Sequence, residues 1–238
     1  MDQGLPVDVI YLELQKAFDK VPHRRLLSKI HAHGVRDKIW LWIEEWLCNR
    51  LQRVVINGKS SGWIPVESGV PQGSVLGPVL FLIYINDIDD NIISKVLKFA
   101  DDTKLISAVA TAQDITNVTN DLHNLASWSD DWMMLLNTDK CHVLHLGRDN
   151  SRAKYCLFGK ELSKVADERD LGVIVEDDLK ASKQCTKAVS TANRILGLIR
   201  RTVECKSQDI ILQLYKTLVR PHLKYCVQCW NPYYRKRL

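Results

Sequence analysis

Residues 97–106 restrict the folding of this chain more than any other segment: Asp101 and Asp102 stand side by side, framed on both flanks by apolar strand-forming residues. Strand-like flanks around a polar centre predict a hairpin with the two carboxylates at its bend. Neighbouring carboxylates repel and carry a desolvation cost, so such a bend makes good sense as the seat of a divalent cation. A solvated turn fits the local residues equally well. The other adjacent pairs, Asp89-Asp90, Asp130-Asp131 and Asp177-Asp178, fall at expected element ends or within an amphipathic helix, where solvated acids are ordinary.

The remaining periodicities supply a frame for that hairpin. Residues 7–14 are β-branched and apolar and predict a core strand close to the start of the chain, with no domain before it. One helix is expected from about His23 to near Gly34, and a second from the helical spacing of Ile39, Trp42, Ile43, Trp46 and Leu47. Asn57-Gly58 marks a hairpin turn. Ile115, Val118, Leu122, Leu125, Trp128 and Trp132 predict a long amphipathic helix with Asn137 as its stop. Short alternating segments follow at 143–146 and 155–158, the latter turning at Gly159-Lys160, and beyond Asp178 the period becomes 3.6 and holds to Pro221. The fold class is therefore α+β, a mixed body over residues 1–178 followed by a helical region over 179–238.

With 46% hydrophobic and 26% charged residues, the 238-residue chain has the composition of a soluble globular protein, not of a disordered, collagen-like or membrane one. Its longest apolar run, residues 75–85, is interrupted by Gly77 and Pro78 and falls short of the ~20 residues a membrane span needs. Seven irregularly spaced cysteines and no signal peptide point to reduced thiols and an intracellular protein. A net charge of +5 permits a polyanionic partner without demanding one. The charge is uneven, with ten Lys plus Arg and two acids from Arg194 to Leu238. At 100° per residue Cys185, Val189, Ala192, Leu196, Ile199 and Val203 share one helix face, while Lys180, Lys183, Lys187, Arg194 and Arg201 lie opposite. Such a stripe can track duplex phosphates, and an ordinary solvated face would look similar. Gly58-Lys59-Ser60 has the end of a phosphate-binding loop but Arg53 where the first glycine should stand. Cys226-x-x-Cys229 with His222 nearby has no second ligand pair and reads as packing, not zinc.

Read together, the segments resemble the reverse transcriptases of non-LTR (LINE-type, jockey-like) retrotransposons. Residues 11–23 look like the first palm motif of that family, 68–78 like the second, 99–103 like the third, and 128–140 like the fourth. Leu171-Gly172-Val173 and residues 192–197 resemble its primer-grip and thumb segments. The resemblance implies a polymerase palm, an antiparallel sheet backed by helices, followed by a mostly helical thumb. It implies an RNA-directed DNA polymerase in which Glu13, Asp101 and Asp102 hold two Mg²⁺ ions, with an RNA template, a DNA primer and deoxynucleoside triphosphates as partners. Phe18 matches the aromatic gate against a ribose 2′-hydroxyl, Gln72 and Gly73 the nucleotide and template pocket, and Lys140 a lysine that protonates pyrophosphate. The local residues equally fit a core aromatic at 18, a simple turn at 71–73 and a solvated helix-end lysine at 140.

Two departures from the family pattern bear on activity. The family carries aspartate where this chain has Glu13, and the extra methylene displaces the carboxylate by ~1 Å or more. Asp8, at an odd offset, belongs to the opposite strand face, and Asp19 lies past the expected strand end, so neither replaces it. Only twelve residues precede Glu13, so the fingers that clamp the triphosphate are expected to be largely missing, as is an upstream endonuclease. An impaired polymerase is expected. The alternatives are a non-catalytic nucleic-acid-binding module derived from a retroelement and a translated relic with no selected role. An RNA-directed RNA polymerase is disfavoured, because that class would place a polar ribose reader near Phe18 and usually glycine at Ala100.

Overall fold

The computed structural model describes residues 4–205 and 207–231. They form two compact units that divide between Lys164 and Val165, fourteen residues before the change of period at 178. The hairpin that follows Val165 thus groups with the helices.

In the first unit a five-stranded sheet is built from β1 (Val7–Glu13), β2 (Lys95–Phe99), β3 (Asp102–Ala108), β4 (His142–Leu146) and the short β5 (Ser163–Val165), in the order β5-β4-β1-β3-β2. The apolar β1 takes the central place, antiparallel to β3 on one side and to β4 on the other. Its alternation sends Ile10 and Leu12 into the core beside Leu105 of β3 and Val143 of β4. Over that face pack α1 (His23–Ala32), α2 (Asp37–Leu47), α3 (Leu76–Ile85) and α4 (Ala112–Asp131), contributing among others Leu26, Ile30, Ile43, Phe81, Tyr84 and Leu122. Each fully buried side chain of this size contributes about 1.5–3 kcal/mol. The hairpin turn at Asn57-Gly58 forms as the sequence indicates, both residues taking left-handed backbone between strands Val55–Ile56 and Lys59–Ser60.

Three buried polar groups organise this core. Lys29 of α1 donates to the Tyr84 carbonyl oxygen at 2.6 Å and pairs with Asp87, its ammonium lying 3.6 Å from the Trp132 ring centre. Asp121 of α4 accepts from the backbone N–H groups of Ile93 and Ser94, fixing the entry to β2. Asp8 of β1, fully buried, accepts from His145 Nδ1 at 2.7 Å, Asn150 Nδ2 at 2.7 Å and the Tyr155 hydroxyl at 2.6 Å.

The helix α4 starts on a capping box between Thr111 and Asp114 but ends at Asp131, six residues before Asn137. Met133 takes left-handed backbone, Ser129 Oγ donates to the Met134 carbonyl, and Met134 and Leu136 turn into the core. Gln15 N–H donates to Leu135 O and Asn137 N–H to Glu13 O, so this stretch extends the sheet past the end of β1 instead of prolonging the helix.

The second unit holds a hairpin of β6 (Asp167–Asp170) and β7 (Val173–Glu176), then α5 (Ser182–Thr202), α6 (Gln208–Leu214), a π-helical turn over Tyr215–Val219, α7 (Arg220–Lys224) and α8 (Val227–Trp230). The continuous helical period to Pro221 is thus broken after Thr202, and Pro221 lies in the first turn of α7, where its missing N–H costs nothing. The buried stripe of α5 also differs from the expected one. Gln184, Ala188, Ala192 and Ile199 face inward, while Val189 and Leu196 are 52% and 41% exposed. Gln184 causes the rotation: its Oε1 accepts from Ile174 N–H at 3.0 Å, a bond that a hydrophobicity pattern does not register. No helix among the described residues is long and apolar enough to cross a membrane.

Candidate active site

The antiparallel register sets Glu13, the last residue of β1, directly opposite Asp102, the first of β3. Directly opposed residues point to the same face, with Cα atoms ~4.5–5.5 Å apart. Asp102 also opposes Phe99 of β2, so Ala100 and Asp101 alone make the turn. Ala100 takes left-handed backbone, at a cost of about 1–2 kcal/mol for a residue with a Cβ, and Asp101 is thereby held next to the Glu13–Asp102 pair in the chain. Tyr11, two residues before Glu13, opposes Lys104 and His142 on this same face. Asp8 points the other way into its buried network, as its odd offset requires.

Lys140 joins the carboxylates from a tight turn. Asn137, bonded through its N–H to Glu13 O, accepts from the N–H groups of Lys140 and Cys141 on its carbonyl and from Asp139 N–H on its side chain. That turn brings Lys140 Nζ into an ion pair with Glu13 Oε1, and the hydrogen bond to Glu13 raises the lysine pKa above its ordinary value. Glu13, Asp102 and Lys140 are therefore gathered by backbone pairing, and the glutamate's extra methylene gives it reach toward Lys140.

The other sequence-derived residues form a second group beside a short helical turn, Ala17–Lys20. Phe18 stacks on the buried Phe81 ring at 4.5 Å between centres, so its ring is partly committed to the core. Gln72 Nε2 donates to Asp19 Oδ1 at 3.0 Å. Gly69 lets the two segments meet: a Cβ there would come within 2.7 Å of the Asp19 carbonyl oxygen, and Gly69 N–H donates to Val21 O. Gly73 has φ +80°, a conformation that favours glycine, with open space where a side chain would stand. Alongside lies a cavity of about 1040 Å³ lined by Lys16, Lys20, Arg50, Gln52, Ile64 and Gln72. Asp19 and Arg50, which donates to the Leu47 and Gly69 carbonyls, are residues the sequence did not single out in these positions. Their signal lay in the Ser68-Gly69 step, whose Ser68 hydroxyl also bonds Asp19 O.

The structure separates the five cations assigned to the second unit. Lys180 pairs with Asp178, and Lys183 with Asp167. Lys187, Arg194 and Arg201 are exposed on α5, and among the described residues they have no ion-pair partner. They recur every seven residues, hence about 10.5 Å apart on nearly one face. Lys206, Arg235, Lys236 and Arg237, which contribute to the basic imbalance of the sequence, lie outside the described residues.

A carboxylate-bearing strand beside a hairpin, in an antiparallel sheet backed by helices, is a polymerase arrangement. A telomerase chain from Candida tropicalis shares the fold, with a TM-score of 0.51 over 94% of this chain and 40% of that one at 12% identity. The family described as reverse transcriptase (RNA-dependent DNA polymerase) matches residues 7–198, and the chain belongs to that family. It is 26% identical to the RNA-directed DNA polymerase from mobile element jockey of Drosophila melanogaster, over 93% of this chain and 25% of that protein. It is 28% identical to the probable RNA-directed DNA polymerase from transposon BS of the same species, over 94% of this chain and 26% of the relative. The reverse transcriptase is thus of the non-LTR retrotransposon type, and the chain spans about a quarter of the length of these relatives.

Proposed function

We propose that this chain is the palm and thumb of a retroelement reverse transcriptase, the palm over residues 1–178 and the thumb over 179–238, and that it extends a DNA primer on an RNA template with deoxynucleoside triphosphates. The carrying observation is the register that opposes Glu13 to Asp102 with Asp101 in the adjoining turn, inside the segment that matches the family. Reverse transcriptases generally use divalent metal ions. Among the described residues no three carboxylate, thiol or imidazole groups form a ready metal cage. The donor set nevertheless suits Mg²⁺, which is commonly bound by one or two carboxylates completed by substrate phosphates and water. Glu13, Asp101 and Asp102 would hold two such ions, whose chemistry is to activate the primer hydroxyl and neutralise the departing pyrophosphate. Phe18 bounds the sugar, Gln72 and Gly73 border nucleotide and template, and Lys140 is close enough to the carboxylates to supply a proton. Lys180 and Lys183 support the thumb surface from within local ion pairs.

One observation favours the second reading, a nucleic-acid-binding protein without chemistry: Lys140 already engages the Glu13 carboxylate that the metal needs. Primer extension on a defined RNA template with Mg²⁺, run with Glu13→Asp in place, separates the two. Extension abolished by Asp101→Asn and by Asp102→Asn is the expected result. No extension, or extension indifferent to both substitutions, refutes the catalytic assignment.

The cation stripe gives a separate expectation. Replacing Lys187, Arg194 and Arg201 by glutamine should weaken duplex binding alike for all sequences. The slope of log K against log salt should become shallower by about 2.7, at ~0.9 per lost phosphate contact. An unchanged slope in a fluorescence titration means the stripe is only solvated.

A further inference from the structure

The cysteine pair set aside in the sequence as packing is the only place among the described residues where two thiols share a hydrogen bond. Cys226 Sγ donates to Cys229 Sγ at 3.5 Å. Cys226 is half-buried with left-handed backbone, Cys229 is exposed, and Cys229 N–H closes the turn on Cys226 O at 2.9 Å. The turn is held from both ends. The Tyr225 hydroxyl donates to Leu171 O at 2.8 Å, and its ring lies against Gly172, where an added Cβ would come within 3.2 Å. Trp230 Nε1 donates to Tyr225 O at 2.8 Å, and the indole is buried with Val173 and Ala188. A disulfide needs the sulfurs ~2.05 Å apart, an approach that rotation of an exposed cysteine side chain can supply.

We propose that Cys226 and Cys229 are a reversible dithiol–disulfide couple, with Cys229 as the attacking thiol, Cys226 as the resolving one, and a small disulfide such as oxidised glutathione as oxidant. The Cys229 thiolate attacks one glutathione sulfur, forming a mixed disulfide and expelling glutathione thiolate, which takes up a proton. Cys226 then gives its proton to solvent and attacks the Cys229 sulfur, releasing the second glutathione. Two protein thiols and one oxidised glutathione become one protein disulfide and two reduced glutathiones. The order follows from exposure: Cys229 is exposed and meets a small disulfide first, while the half-buried Cys226 lies 3.5 Å behind it. The bond to Cys229, with burial adding to it, holds the Cys226 thiol above its usual pKa, in keeping with a resolving role.

The test equilibrates the full chain in glutathione buffers of increasing oxidised fraction and reads each cysteine by differential alkylation and peptide mass mapping. Cys226 and Cys229 should oxidise together into one disulfide. At their midpoint the exposed Cys156 and Cys205 should be at least about tenfold less oxidised, because an adjacent thiol has a far higher effective concentration than glutathione. Cys226→Ser should accumulate a mixed disulfide on Cys229, and Cys229→Ser, an exposed substitution that preserves the fold, should remove the cooperative transition. Independent mixed disulfides on Cys226 and Cys229, formed at the same ratio as on Cys156 and Cys205, overturn the proposal.

Discussion

Asp8→Ala is expected to destabilise the first unit by about 3–5 kcal/mol, at roughly 1–3 kcal/mol for each buried donor left without its acceptor, out of the ~5–15 kcal/mol typical of a domain. The loss is large because His145 Nδ1 and the Tyr155 hydroxyl lose their acceptor, Asn150 Nδ2 keeps only its longer bonds to the Val7 and Leu146 carbonyls, and His145 Nε2 is already buried without a hydrogen-bond partner. The same network predicts a pH dependence. Burial by itself would raise the Asp8 pKa, but hydrogen bonds from His145, Tyr155 and Asn150 more than offset it and hold the carboxyl below its ordinary 3.8. A carboxyl whose folded pKa lies below its unfolded one stabilises the fold fully above the unfolded value and loses that contribution as pH falls through the folded value. The stability advantage of wild type over Asp8→Asn in urea titrations should therefore be constant above about pH 5 and shrink below 3.8. A constant difference down to pH 2, or a loss under 1 kcal/mol for Asp8→Ala, refutes this account.

That network shows where the sequence was readable and where it was not. The parity of Asp8 against Glu13 is a local property of one strand, and it held. Its partners could not be inferred, because they lie more than 130 positions along the chain and are brought close only by the pairing of β1 with β4. The aspartate hairpin, the Asn57-Gly58 turn and the body of α4 carry their cause in nearby residues, and all three were legible. The end of α4 and the buried face of α5 were misread for one reason. In each, a polar side chain, Ser129 or Gln184, makes a specific bond to backbone that outweighs the apolar pattern. At the candidate site the motifs located Glu13, Asp102 and Lys140, while the ion pair between 13 and 140 depended on the turn at Asn137.

Glu13→Asp is expected to raise turnover in single-nucleotide incorporation by about 100-fold or more, since a ~1 Å misplacement in a positioned reaction has roughly that cost. The shorter side chain draws its carboxylate back from Lys140 and toward Asp102 across the ladder. Rapid-quench assays of the unmodified chain and of Glu13→Asp, with Asp101→Asn as the blank, read the difference. Asp101-dependent incorporation by the unmodified chain as fast as by Glu13→Asp would overturn the expectation and show that the site works with glutamate.

The central position of β1 has a consequence for how the chain is made. It is synthesised well before the strands it pairs with, which begin only at Asp102 and at His142. Long-range pairing of this kind is slow, because loop-closure entropy must be overcome before any ladder bond compensates it. During translation the apolar β1 segment therefore stays unpaired until most of the first unit has left the ribosome. In that interval its bare edges are open to other nascent chains or to a chaperone, and slower elongation through residues 14–101 lengthens the exposure.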